Sequence, residues 1–96
     1  MEFYLTLALS TAHLTPEDCK VLDYKAGRGE MVTKRQYGYF VKLYEKPGAK
    51  EACLNDDPDY SDDLSEILAW AAAHDFRMIE FDRDVEVAPM FKTHNW

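Results

Sequence analysis

Ser61-Asp62-Asp63-Leu64-Ser65-Glu66-Ile67-Leu68-Ala69-Trp70-Ala71-Ala72-Ala73, followed by Phe76-Arg77-Met78-Ile79-Glu80-Phe81, is the stretch that decides the fold of this 96-residue chain. Leu64, Ile67, Leu68 and Ala71 recur at the spacing of one helix face. Ala69, Ala72 and Ala73 favour helix intrinsically. Ser61-Asp62-Asp63 starts the helix, and Asp62, Asp63 and Glu66 suit the positive end of its dipole. His74-Asp75 closes it. Phe76 to Phe81 then reads as a strand with Ile79 and Phe81 pointing inward.

Upstream, Tyr37 to Glu45 is a second strand. Tyr37, Tyr39, Val41 and Leu43 share one face, and Phe40, Lys42 and Tyr44 share the other. Aromatic residues on both faces place it inside a sheet, and Gly38 within it marks a bulge or a close backbone approach. Met31-Val32-Thr33 is a candidate short strand. Near the N-terminus, Phe3, Leu5, Leu7 and Leu9 alternate with Tyr4, Thr6 and Ala8, the period of a half-buried strand. Leu14-Thr15-Pro16-Glu17-Asp18 opens a helix, with Thr15 as cap and Pro16 at its first position. Gly27 and Gly29 end that helix. Pro47 to Tyr60 is the least regular stretch, and Val85 to Trp96 is an irregular tail whose apolar residues call for packing. The resulting order, β-α-(β)-β-α-β, is the ferredoxin-like pattern of a small α+β two-layer sandwich. It has three or four strands and two helices, in a single domain spanning residues 1–96.

Composition supports a real core: 47% of residues are hydrophobic and 14% aromatic, too apolar for a disordered chain. The longest uncharged run, Phe3 to Pro16, is broken by Thr6, Ser10, Thr11 and His13. Nothing approaches the roughly 20 apolar residues of a membrane span, and no positive n-region marks a secretory signal. Cys19 and Cys53 fit neither a CxxC site nor a disulfide framework, so they read as reduced thiols of a cytoplasmic protein. No cofactor motif is present.

Charge is unevenly spread. The net value is −7. Residues 20–50 carry a balance of +5 and residues 51–86 a balance of −10. Net acidity opposes direct nucleic-acid binding, which needs cations to displace phosphate counterions. It permits engagement of a basic surface that normally holds nucleic acid. Asp56, Asp57, Asp59, Asp62, Asp63 and Glu66 put six acids within eleven residues, and no Lys or Arg occurs from Ala52 to Phe76. Helix-dipole complementarity explains the last three acids but not those of the loop. A solvated loop is the plain reading, and a phosphate-like surface for a basic partner is the functional one.

Two other constellations carry chemistry. Ser10, Thr11 and His13 sit where the first strand turns into the first helix, a place that could present a hydroxyl beside a base; such residues also serve simply to satisfy turn backbone. Asp82, Asp84 and Glu86 alternate beyond the last strand and, with His13 or His94, could supply carboxylate and imidazole ligands to a divalent metal. Their plain reading is solvated strand-end charge beside Arg83. Tyr37, Tyr39, Phe40 and Tyr44 near Lys34, Arg35 and Lys42 lack the paired aromatic motifs of RNA-binding sheets. Trp70 and Trp96 suit core or rim anchors.

Three segments together are similar to a known family: Leu9-Ser10-Thr11-Ala12-His13-Leu14, Tyr37-Gly38-Tyr39-Phe40-Val41, and Phe81-Asp82-Arg83-Asp84 with Thr93-His94-Asn95-Trp96. They resemble small proteins with a domain of unknown function carried on proteobacterial plasmids, phages and integrated elements. The chain departs from that pattern at Glu86-Val87-Ala88-Pro89-Met90, which replaces a turn richer in glycine or aspartate. No catalytic set comes with the resemblance. It implies a genomic setting in which accessory genes often encode inhibitors of host defence.

The expectation is therefore a non-enzymatic, protein-binding module that is an acidic inhibitor or decoy of a basic, nucleic-acid-handling host protein. An anti-CRISPR or anti-restriction inhibitor is its concrete form, with Asp56, Asp57, Asp59, Asp62, Asp63 and Glu66 as the contact set. The alternative is a small metal-dependent or hydroxyl-nucleophile enzyme using Ser10, His13, Asp82, Asp84 and His94. The two differ in whether those five residues meet in one pocket. Homo-oligomerisation through the Trp-bearing tail is a third reading.

Overall fold

The computed structural model of the protein describes residues 1, 3–43 and 57–95. Its elements are β1 (Leu5–Leu9), a short 3-10 turn (Thr11–His13), α1 (Pro16–Gly27), β2 (Val32–Arg35), β3 (Gly38–Lys42), α2 (Asp62–Ala73) and β4 (Phe76–Asp82). This is a small α+β protein with the expected β-α-β-β-α-β order. The four strands form one mixed sheet in the order β1-β4-β3-β2. The first strand lies at an edge, parallel to β4, while β3 runs antiparallel to both its neighbours, β4 and β2. β3 is thus the interior strand that its two-faced aromatic pattern indicated.

Strand register explains the layering. Leu7, Ile79, Val41 and Val32 form one row across the sheet, and Leu9, Phe81, Tyr39 and Lys34 form the next row on the same face. All of these but Leu7, which is half-buried, and Lys34 are buried, in one core with Leu14, Leu22, Leu64, Ile67, Leu68 and Ala71 from the helical side. Each Leu or Ile so buried contributes about 2 kcal/mol. The opposite face carries the row Ala8, Glu80, Phe40 and Thr33, none of it buried. The sandwich therefore has two layers, and among the described residues one sheet face is open.

Local chemistry sets the helix ends. Thr15 caps α1 by accepting from the Asp18 backbone N–H (3.0 Å), and the Asp18 carboxylate accepts from the Thr15 N–H (3.2 Å), a reciprocal capping box. Ser61 caps α2 by accepting from the Leu64 N–H (3.1 Å). Beyond α1, Gly29 at φ +68° takes the left-handed conformation that turns the chain toward β2. Gly38 is needed for a different reason: a side chain there would run into the Phe81 carbonyl of β4. The close backbone approach expected from the sequence is the one observed.

One expectation at β1 is corrected. Phe3 and Leu5 share the alternation of Leu7 and Leu9, yet they are 88% and 58% exposed. The helices pack over β2 and β4. The exposed end of the edge strand is the one opposite Phe76.

Candidate functional site

The acidic segment was the sequence-derived contact set, and the structure divides it. Asp56 lies outside the described residues, as does Cys53. The Asp57 carboxylate accepts from the Asp59 backbone N–H (2.8 Å) in a local turn and sits 3.5 Å from the Lys25 ammonium. That ammonium, almost fully buried, also lies 4.8 Å above the Tyr60 ring. Burial pushes the Tyr60 phenol above its ordinary value. The Asp63 carboxylate lies 3.0 Å from Nε2 of His94, a contact that becomes an ion pair when the ring is protonated. Asp57 and Asp63 are therefore engaged with their own fold. Asp59, Asp62 and Glu66 are exposed and make no ion pair among the described residues. Asp62 and Glu66, four residues apart on α2, point to the same side.

Asp18 supports this rim from beneath. It is fully buried, and its two oxygens accept from the Ser61 N–H (2.8 Å) and the Ser61 hydroxyl (2.6 Å) as well as from Thr15. One carboxylate thus joins the caps of both helices. From sequence Asp18 read only as part of the segment that opens α1, because its main partner is 43 residues away. An acid three positions after a cap residue was the available signal.

The residues of the enzymatic alternative occupy different environments. Ser10 is buried and its hydroxyl accepts from the Ala12 N–H (3.1 Å). His13 is fully buried. Its Nδ1 donates to the Lys92 carbonyl (2.8 Å) and its Nε2 accepts from the Ala88 N–H (2.9 Å), so the ring carries its proton on Nδ1 and clamps the tail from both sides. Neither nitrogen faces Ser10. The Asp82 carboxylate accepts from the Asp84 N–H (2.8 Å), and Asp84 lies 3.8 Å from the exposed Arg83. Ser10 and His94 line one shallow depression of about 270 Å³ with Thr11, Ala12 and Arg83; His13, Asp82 and Asp84 do not line it. No three His, Cys, Asp or Glu side chains gather as metal ligands among the described residues.

The tail packs, as its apolar residues indicated. Phe91 is buried edge-on to His13 and Trp70, and the His94 N–H reaches the Ala12 carbonyl at 2.8 Å. Trp70 is a rim anchor, stacked against His74 at 4.0 Å between ring centroids. Trp96, the tryptophan of the tail on which the oligomer reading rests, lies outside the described residues.

A second depression of about 370 Å³ sits at the carboxyl ends of β1 and β4. It is lined by Thr11, Cys19, Lys34, Tyr37 and Arg83, among others. Its lining carries Lys34, Arg35 and Arg83 against the single acid Asp23, an excess of positive charge. Asp23 takes a hydrogen bond from the Tyr39 hydroxyl (2.7 Å) and lies 3.0 Å from Lys34, and the Arg83 guanidinium covers the Tyr37 ring at 3.8 Å. Burial raises the Cys19 thiol above its ordinary range, away from the reactive thiolate. The Tyr37, Tyr39 and Phe40 rings go to three different places. Tyr37 lies under Arg83, Tyr39 in the core, and Phe40 on the open face beneath Arg35 at 4.9 Å. They form no stacking platform.

Fold and surface together define a small two-layer α+β domain with an acidic rim at one helix start. The chain belongs to the family described as "Family of unknown function (DUF5983) C-terminal domain", whose model matches residues 6–96. No curated protein and no solved structure matches it significantly. Among the described residues no helix is long and apolar enough to cross a membrane.

Proposed function

We propose that this protein is a non-enzymatic binding module that presents its acidic rim to a basic partner protein. The carrying observation is that Asp59, Asp62 and Glu66 are exposed and lack ion pairs among the described residues, whereas Asp57 and Asp63 are held by Lys25 and His94. Of the contact set drawn from the sequence, Asp59, Asp62 and Glu66 are thus the exposed members among the described residues, and Asp56 lies outside them. Like charges placed together destabilise a small domain by mutual repulsion, and a cationic partner removes that cost. The net charge of −7 gives the whole molecule a field that steers such a partner toward it. The partner is a basic host protein that handles nucleic acid in the cytoplasm, whose phosphate-binding surface the rim occupies. An inhibitor of the anti-CRISPR or anti-restriction type is the concrete form, in keeping with the mobile-element setting that the resemblance implies. The occupation of both His13 ring nitrogens by backbone groups favours this reading over a Ser10–His13 hydrolase.

Affinity capture from a bacterial lysate at low salt, followed by a salt gradient, tests the proposal. Release of a basic nucleic-acid-handling protein at moderate salt is the expected result. Capture of no basic protein at any salt contradicts it.

A further inference from the structure

The two edges of the sheet are built differently. β2 is four residues long and carries exposed Lys34 and Arg35, the usual protection of an edge against pairing with another chain. Among the described residues β1 carries no such charge, and only an irregularity in its pairing with β4 between Leu5 and Thr6 interrupts the edge. From Phe3 to Pro16 the chain carries no formal charge, and β1 pairs only with β4, so its outer backbone groups are unpaired by any described strand. Large apolar side chains cluster at its start: Phe3 is 88%, Tyr4 54% and Leu5 58% exposed. In the strand alternation Tyr4 belongs to one face, and Phe3 and Leu5 to the other, so the exposed surface wraps the edge.

We propose that this edge joins two copies of the chain through antiparallel β1–β1 pairing, making one continuous sheet. A strand added here must be uncharged and largely apolar, and β1, whose one polar side chain is Thr6, meets both requirements. A two-fold axis perpendicular to the sheet sets Phe3, Leu5 and Leu7 of one copy against the same residues of the other. Charge favours the arrangement although each chain is net acidic. Leu5 lies opposite Phe76, just after the C-terminal end of α2, whereas Asp62 starts that 12-residue helix about 18 Å away. Antiparallel pairing sends the two acidic rims to opposite ends of the joined sheet, where repulsion is screened. The interface and the rim are separate surfaces, so each stands or falls on its own test.

Light scattering and sedimentation of the full chain, with Leu5→Lys and Phe3→Glu beside it, test this proposal. Both substituted positions are exposed, and unchanged circular dichroism verifies that the variants fold. The expected result is a wild-type mass of twice 11.1 kDa, falling to the single-chain mass in both variants. A wild type that stays monomeric up to millimolar concentration overturns the proposal. So does a dimer that both variants preserve, which would put the interface elsewhere. So does a monomer that instead binds a foreign strand at this edge.

Discussion

The buried carboxylate of Asp18 in α1 holds both the backbone N–H and the hydroxyl of Ser61, the cap of α2. Two helix starts that are far apart in sequence therefore share one acceptor. Asp18→Ala leaves the Ser61 N–H and the Thr15 N–H without their bonds in a dry site. The expected loss is about 3 kcal/mol, measured by urea denaturation. Asp18→Asn keeps the volume and one acceptor oxygen and should lose less. Equal losses would mean that one retained oxygen contributes nothing and that the tie needs both.

His13 makes a second long-range tie, to a tail that has no regular structure of its own. Replacing it by Phe keeps a large ring but leaves the Ala88 N–H and the Lys92 carbonyl unpaired, at a cost of about 2 kcal/mol. The loss should be local first: amide exchange should quicken from residue 88 to residue 95 while the β3–β4 ladder stays protected. Nitrogen NMR should find the wild-type proton on Nδ1. A proton on Nε2 contradicts the clamp.

Asp23 gives the fold an acid-sensitive contact. Its slight burial pushes the carboxyl upward, but the hydrogen bonds from Tyr39 and Lys34 and the Lys34 charge outweigh that and hold it below the usual aspartate range. The Tyr39 phenol is raised far above its own ordinary value, first by burial and then by the bond to Asp23. A carboxyl lowered on folding adds stability that is complete above its unfolded value and is lost as pH falls through the folded one. Tyr39→Phe removes a donor, so the Asp23 titration should move up toward the unfolded value in a carboxyl-carbon NMR series. An unmoved titration means that Lys34 alone holds it.

These contacts mark where sequence reasoning reached and where it stopped. The Leu64, Ile67, Leu68 and Ala71 stripe, the caps Thr15 and Ser61, and the Gly38 approach were legible because each depends on neighbours within a few residues or on the absence of a side chain. The exposure of Leu5 was not, because alternation tells which face a residue shares and not whether a helix lies above it. Strand order is set by pairing between distant segments, so the edge position of β1 was invisible. The acidic rim was legible as charge. Its division into engaged Asp57 and Asp63 and exposed Asp59, Asp62 and Glu66 was not, because Lys25 and His94 come from elsewhere in the chain.

The exposed acids of the rim carry the central claim. The most direct measurement is the affinity of the captured partner for the wild type and for the combined Asp59→Asn, Asp62→Asn and Glu66→Gln variant, across a salt series. Three exposed contacts at about 0.3 kcal/mol each predict binding roughly fivefold weaker in the variant, with a shallower dependence on salt. A variant that binds as tightly as the wild type at low salt, with the same salt dependence, contradicts the account.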